Sequence, residues 1–135
     1  MCRGELFSRI QRLLLLEGGG TERTNTPDRL PRQSWESMRF AAALKPEEQG
    51  LLASFIDDTH WCLLTSNRLV WRNAPTSGSL HWSEVEEFDE GLEEVTVGGG
   101  WGDRMPLPAE PGRGRRLIRS ALHELWSGGW TAQAA

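Results

Sequence analysis

Asp57-Asp58-Thr59-His60 sets two carboxylates and an imidazole in four consecutive residues, a combination able to hold a metal ion or pass protons to a substrate. The same residues also suit a polar turn between strands, with Asp accepting hydrogen bonds from the backbone that follows it. The turn carries more weight, because His60, His81 and His123 show no ligand spacing such as His-x-His or His-Glu-x-x-His. Cys62 is the other candidate nucleophile. Its neighbours Trp61, Leu63 and Leu64 are apolar, and a thiol in such a run packs rather than reacts. No metal, cofactor or catalytic residue is therefore expected, and a small enzyme built on Asp57, Asp58 and His60, or on Cys62, is the alternative reading.

Recognition chemistry is the richer possibility. Gly98-Gly99-Gly100-Trp101-Gly102 lacks the Lys-Ser/Thr of a phosphate loop and reads as a hairpin tip that presents Trp101 or folds it back onto the domain. Arg113, Arg115, Arg116 and Arg119 form a basic cluster at a loop–helix junction, able to hold an acidic peptide or simply to solvate a helix face. The acidic run Glu84–Glu94 offers Glu86, Glu87, Glu90 and Glu94 as a docking face, or a strand edge kept soluble by charge.

Charge distribution narrows the partners. Residues 45–108 hold four basic and twelve acidic groups, a net −8, against +2 on either flank. Such a surface repels phosphate backbones and anionic lipid, so nucleic acid is excluded as a partner and membrane lipid is disfavoured. Charged residues at 25% and hydrophobic ones at 38% suit a globular chain, and the longest leucine run, Leu13–Leu16, is too short to cross a bilayer. Cys2 and Cys62 build no disulfide framework, which favours a reducing, cytoplasmic setting. The oligomeric state has no signature.

These residues need elements to position them. Leu6, Ile10, Leu13, Leu14 and Leu16, with Phe7, recur at helical spacing over residues 3–17, and Gly18-Gly19-Gly20 stops that helix. Thr21–Gln33, with Pro27 and Pro31, has linker composition. Ser34 can cap a second helix that buries Trp35, Met38, Ala42 and Phe40. Residues 46–56 suit helix or strand, with Leu51–Ile56 leaning to strand. Thr59–Asn73 is the clearest hairpin: Trp61 and Leu63 alternate with His60, Cys62 and Leu64, Ser66-Asn67 turns, and Leu69 and Trp71 alternate with Val70 and Arg72.

Beyond it, Ala74–Ser79 reads as a loop, Leu80-His81-Trp82 as a short strand, and Leu92–Val97 as another. Met105 and Leu107 suggest a last strand that Pro106 and Pro108 confine to an edge. An amphipathic helix over Arg113–Ser127 closes the chain, with Leu117, Ile118, Ala121, Leu122, Leu125 and Trp126 on one stripe. The expected organisation is an N-terminal helix and flexible linker at 1–33, an α+β domain at 34–127 and a disordered tail at 128–135.

Three pieces of local wording resemble the bacterial pleckstrin-homology-like (PH-like) and GRAM-type group: Leu44-Lys45-Pro46-Glu47, then Leu64-Thr65-Ser66-Asn67-Arg68-Leu69-Val70-Trp71, then Val85-Glu86-Glu87-Phe88. The resemblance covers about residues 44–127. It implies a bent antiparallel sheet or barrel capped by the C-terminal helix, with one or two helices before it. It also implies a non-enzymatic module that binds a protein or peptide partner; a variant of that class is a small antagonist or immunity-type protein that caps a basic protein surface. Fold likeness of this kind does not fix a ligand.

Overall fold

The computed structural model describes residues 3–85, 87–90, 95–98 and 104–125. The chain starts with helix α1, Arg3–Leu16, which ends where Gly18 and Gly19 take positive φ (90° and 93°) and the Gly19 N–H reaches back to the Leu14 carbonyl. Leu6, Ile10 and Leu14, spaced four apart, are buried, whereas Leu15 and Leu16 face solvent.

The segment expected to be a flexible linker is instead tied down. It contains strand β1, Thr24–Asn25, and a single 3-10 turn, Pro27–Arg29. Pairing of Thr24 with Ser54 and Asn25 with Ala53 fixes it to the sheet, which composition could not show. Helix α2 spans Arg32–Ala42. It begins two residues before Ser34, after Pro31, whose locked φ suits that position, so Ser34 is not its cap. Met38 and Ala42 are buried, but Phe40, expected on the same side, is 89% exposed.

Four further strands complete a five-stranded antiparallel sheet in chain order: β2 Gly50–Asp57, β3 His60–Thr65, β4 Arg68–Asn73 and β5 Thr76–His81. The hairpin expected at Thr59–Asn73 is β3–β4, and its alternation sorts side chains onto two faces. Cys62, Leu64, Leu69 and Trp71 face a core shared with α1 and the last helix, while Trp61, Leu63 and Val70 face α2. The Ala74–Ser79 segment, expected to be a loop, is mostly β5. Its Thr-Ser-Gly-Ser start has no apolar alternation, and register with β4 (Arg72 to Ser77, Val70 to Ser79) makes it a strand. Trp82 does not extend that strand: it opens a 3-10 turn, Trp82–Glu84, and its buried indole N–H donates to the Thr65 carbonyl at 2.9 Å.

A second antiparallel sheet has the order β6 Glu87–Glu90, β7 Val95–Gly98, β8 Arg104–Leu107. Pro106 sits on β8, at a sheet edge as expected. Helix α3, Arg113–Leu125, buries Leu117, Ile118, Ala121, Leu122 and Leu125 in the larger core. Each large aliphatic side chain of that stripe contributes on the order of 2 kcal/mol. Trp126, Ser127 and the 128–135 tail lie outside the described residues.

A polar knot joins the start of the chain to α3. The Glu110 carboxylate accepts from the hydroxyls of Thr21 and Thr24 at 2.5 and 3.0 Å. The Thr24 and Ser54 hydroxyls lie 2.8 Å apart, and the Glu110 N–H donates to Ser54 Oγ, also at 2.8 Å. Gly114 is required above the knot, because a Cβ there would lie 2.5 Å from both Glu110 Oε1 and Thr24 Oγ1. The architecture is thus α+β, with three α-helices and two antiparallel sheets among the described residues, and none of those helices is long and apolar enough to cross a membrane.

Candidate functional site

Arg68 begins β4 and is held from three sides. Its Nε donates to Glu48 Oε2 at 2.9 Å and its Nη2 to Glu48 Oε1 at 3.1 Å, while Nη2 also donates to the Ala42 carbonyl at 2.7 Å, closing the end of α2. Thr65 completes the network: its hydroxyl donates to Glu48 Oε2 at 2.6 Å and accepts the N–H groups of Asn67 and Arg68, which shapes the Ser66-Asn67 turn. The Glu48 side chain is only 1% exposed. Burial pushes its carboxyl pKa up, but hydrogen bonds from Arg68 and Thr65, the Arg68 charge and the Lys45 N–H outweigh it, so the net shift is downward.

Next to this network the α2 face of the sheet is left partly uncovered. Met38 and Ala42 pack over Trp61, Leu63 and Val70, and that cluster includes no β5 residue among the described ones. A groove of about 370 Å³ results, with Ala41 and Ala42 on one side, Trp61, Val70, Arg68 and Arg72 along its length, and Ala74 through Ser79 on the other side. Two arginines with Thr76, Ser77 and Ser79 contribute to its lining, the Thr76 hydroxyl donating to the Asn73 carbonyl at 2.8 Å, and no acidic residue does among the described ones. Arg72 and both serines are exposed, whereas Trp61 is 2% exposed. The Trp61 Nε1 is buried without a hydrogen-bond acceptor among the described residues. In a chain of net charge −4, this groove presents positive charge and hydroxyls beside an aromatic ring.

The residues singled out by sequence fall elsewhere. Asp57 is consumed by the β2–β3 turn: its Oδ1 accepts the Thr59 N–H at 2.8 Å and the Thr59 hydroxyl at 2.7 Å, with His60 Nδ1 at 3.1 Å. Those two Thr59 bonds, with a smaller effect of His60, hold its carboxyl down to about 2. Asp58 accepts from Ser37 Oγ at 2.9 Å. Among the described residues, no group of His, Cys, Asp and Glu is arranged to hold a metal ion.

Cys62 is fully buried, and burial pushes its thiol up to about 12, so the nucleophilic thiolate is scarce at neutral pH. Native protein at pH 8 is therefore expected to leave Cys62 unlabelled by iodoacetamide, with modification following denaturation. Rapid labelling of the folded protein, located by mass spectrometry, would show the opposite.

Arg113, of the basic cluster expected either to hold an acidic peptide or to solvate a helix face, is engaged within the fold: its Nη2 donates to the Glu17 and Gly19 carbonyls at 3.2 and 2.6 Å, sealing the end of α1. Arg116 is exposed on α3, and Arg115 is half-buried with an Nε that has no acceptor among the described residues. These arginines are not brought to the groove. Glu87 and Glu90 bound β6, at the edge of the second sheet. Trp101, Glu86 and Glu94 lie outside the described residues.

The groove is not legible in the sequence because the run Ala74–Ser79, which forms its β5 side, has the composition of a loop. Strand register is the missing signal, since it sets Ser77 opposite Arg72 and Ser79 opposite Val70. Comparisons found that no family model, curated protein or solved structure matches this chain.

Proposed function

We propose that this chain is a non-enzymatic binding module of PH-like type that engages a protein or peptide partner, and that the partner seats in the groove along β4 and β5. The observation that carries the proposal is the groove's lining: Arg68, exposed Arg72, Ser77 and Ser79, and Trp61, with no acidic residue among the described ones. PH-like architecture is supported by the order of elements, two antiparallel sheets followed by an amphipathic helix whose apolar stripe enters the core. It is supported further by the resembling segments around residues 44–71, where Thr65 and Arg68 meet on Glu48. Two features weigh against catalysis: Asp57 is bound within its own turn, and the Cys62 thiol is buried.

Selection of a random-peptide display library on the purified protein tests this reading, with Arg72→Glu as the counter-selecting variant. Arg72 is exposed and has no carboxylate partner among the described residues, so its replacement is expected to leave the fold intact, checked by circular dichroism. Enriched peptides that bind the native protein and not the variant are the expected result. Failure to enrich any Arg72-dependent peptide would overturn the proposal.

A further inference from the structure

Strand β5 ends the five-stranded sheet, so one side of its backbone has no strand partner among the described residues. Such edges are usually blunted by lysine, glutamate or an internal proline. The run Thr76-Ser77-Gly78-Ser79-Leu80 contains none of these. An extended peptide laid beside β5 would gain main-chain hydrogen bonds there, the mode of recognition known as strand addition.

Side-chain geometry then selects the peptide's charge. Neighbouring strands lie roughly 4.8 Å apart, so an added strand stands about 10 Å from β4. Ser77 faces Arg72 across the β4–β5 pair and Ser79 faces Val70, so only short side chains stand between Arg72 and the new strand, whereas His81 stands opposite Arg68. A guanidinium on β4 and a glutamate on the added strand are each long enough to meet over them. Arg72 has no acidic partner among the described residues, whereas Arg68 is paired with Glu48. Every second side chain of an added strand would fall on this face.

We infer that the partner recognised at this groove is an acidic peptide segment in extended conformation, which adds as a sixth strand to β5 and places a carboxylate toward Arg72. This rests on the peptide-binding reading above and narrows it to one ligand chemistry and one backbone geometry.

The test uses fluorescein-labelled synthetic peptides and fluorescence anisotropy with the full chain. One peptide alternates Glu with Val and Thr, its counterpart carries Gln for Glu, and two more carry backbone N-methyl groups on one or the other alternate set of residues. The acidic peptide is expected to bind, with affinity falling as salt rises, and Gln replacement or Arg72→Glu is expected to weaken it roughly tenfold or more. Only one of the two N-methylated peptides should lose binding, because alternate residues of an added strand direct their N–H groups away from β5. Arg72→Lys should retain part of the affinity, which separates charge recognition from a loss of fold. Equal binding of the Glu and Gln peptides, or of both N-methylated peptides and the parent, would overturn the inference. So would a β5-mediated dimer of this chain that is indifferent to the acidic peptide. Arg72-dependent library peptides that are neutral or helical would leave the binding-module reading standing and remove this one alone.

Discussion

Glu48→Gln is expected to lower folding stability by about 3 kcal/mol, near the low end of the range for breaking a buried ion pair. The substitution keeps the shape of the side chain and removes its charge. Arg68 is then left against the carbonyl of Ala42 with no anion beside it. Its own side chain is 18% exposed, against 1% for Glu48, and that path to water is why the loss stays below the upper end. The urea midpoint should fall with little change in slope. Glu36→Gln is the matched control. The Arg39–Glu36 pair is as short, at 2.7 Å, but its side chains are 53% and 47% exposed, and its removal should cost under about 0.5 kcal/mol. A double replacement of Glu48 and Arg68 by Met should recover part of the Glu48→Gln loss, because it leaves no buried charge unpaired. Equal midpoints for Glu48→Gln and the native protein would mean that the network is not what holds the β3–β4 turn to α2.

The same network sets a pH dependence. The folded-state pKa of Glu48 lies below its unfolded value, so the folded protein holds the carboxylate more tightly in its charged form. Its contribution is complete above the usual carboxylate range and declines as pH falls through that range toward the lower folded value. Native protein should therefore lose stability on acidification more steeply than Glu48→Gln, and the two denaturation curves should converge at low pH. Asp57 titrates in the same direction, toward about 2, but from an exposed turn common to both proteins, so it cancels in the comparison.

Legibility varied with the strength of local pattern. The β3–β4 hairpin and the buried stripe of α3 were readable because apolar residues recur with periods of two and 3.6, and that recurrence survives in the faces they bury. Polar segments were not readable in this way. Thr24–Asn25 owes its strand geometry to partners distant in sequence, Ser54 among them, and Thr76–Ser79 owes its own to pairing with β4 across a tight turn; the residues of both favour turns. Thr24, Thr26 and Ser54 are fully or nearly fully buried polar residues. The Glu110 knot satisfies Thr24 and Ser54, a pairing invisible before the fold brings residue 110 back to residue 24. The candidate site shares this limitation. Its arginines were visible as charges, but only register joins Arg72 to the serines of β5.

Ile10→Ala is expected to lower stability by about 2–5 kcal/mol, the cost of truncating a large side chain in a packed core. Ile10 is 0% exposed, and its cluster includes Leu52, Leu64, Ile118 and Leu122, side chains that belong to the sheet and to α3. Arg9 reinforces the contact through Glu124, its Nε donating to the carboxylate at 2.8 Å. If the helix were instead tethered by a free linker, the substitution would leave the main unfolding transition unmoved and affect only a separate, weaker one. Leu16→Ala, on the same helix but 83% exposed, should change stability by less than about 0.5 kcal/mol. The contrast is read from urea midpoints followed by tryptophan fluorescence, for which buried Trp61, Trp71 and Trp82 report on the sheet and its two cores. A single transition that shifts strongly for Ile10→Ala and hardly for Leu16→Ala would establish that α1 is part of the folding unit. The reason is physical: the larger core has Leu6, Ile10 and Leu14 as one of its walls, and removing part of that wall exposes α3 and β2 together.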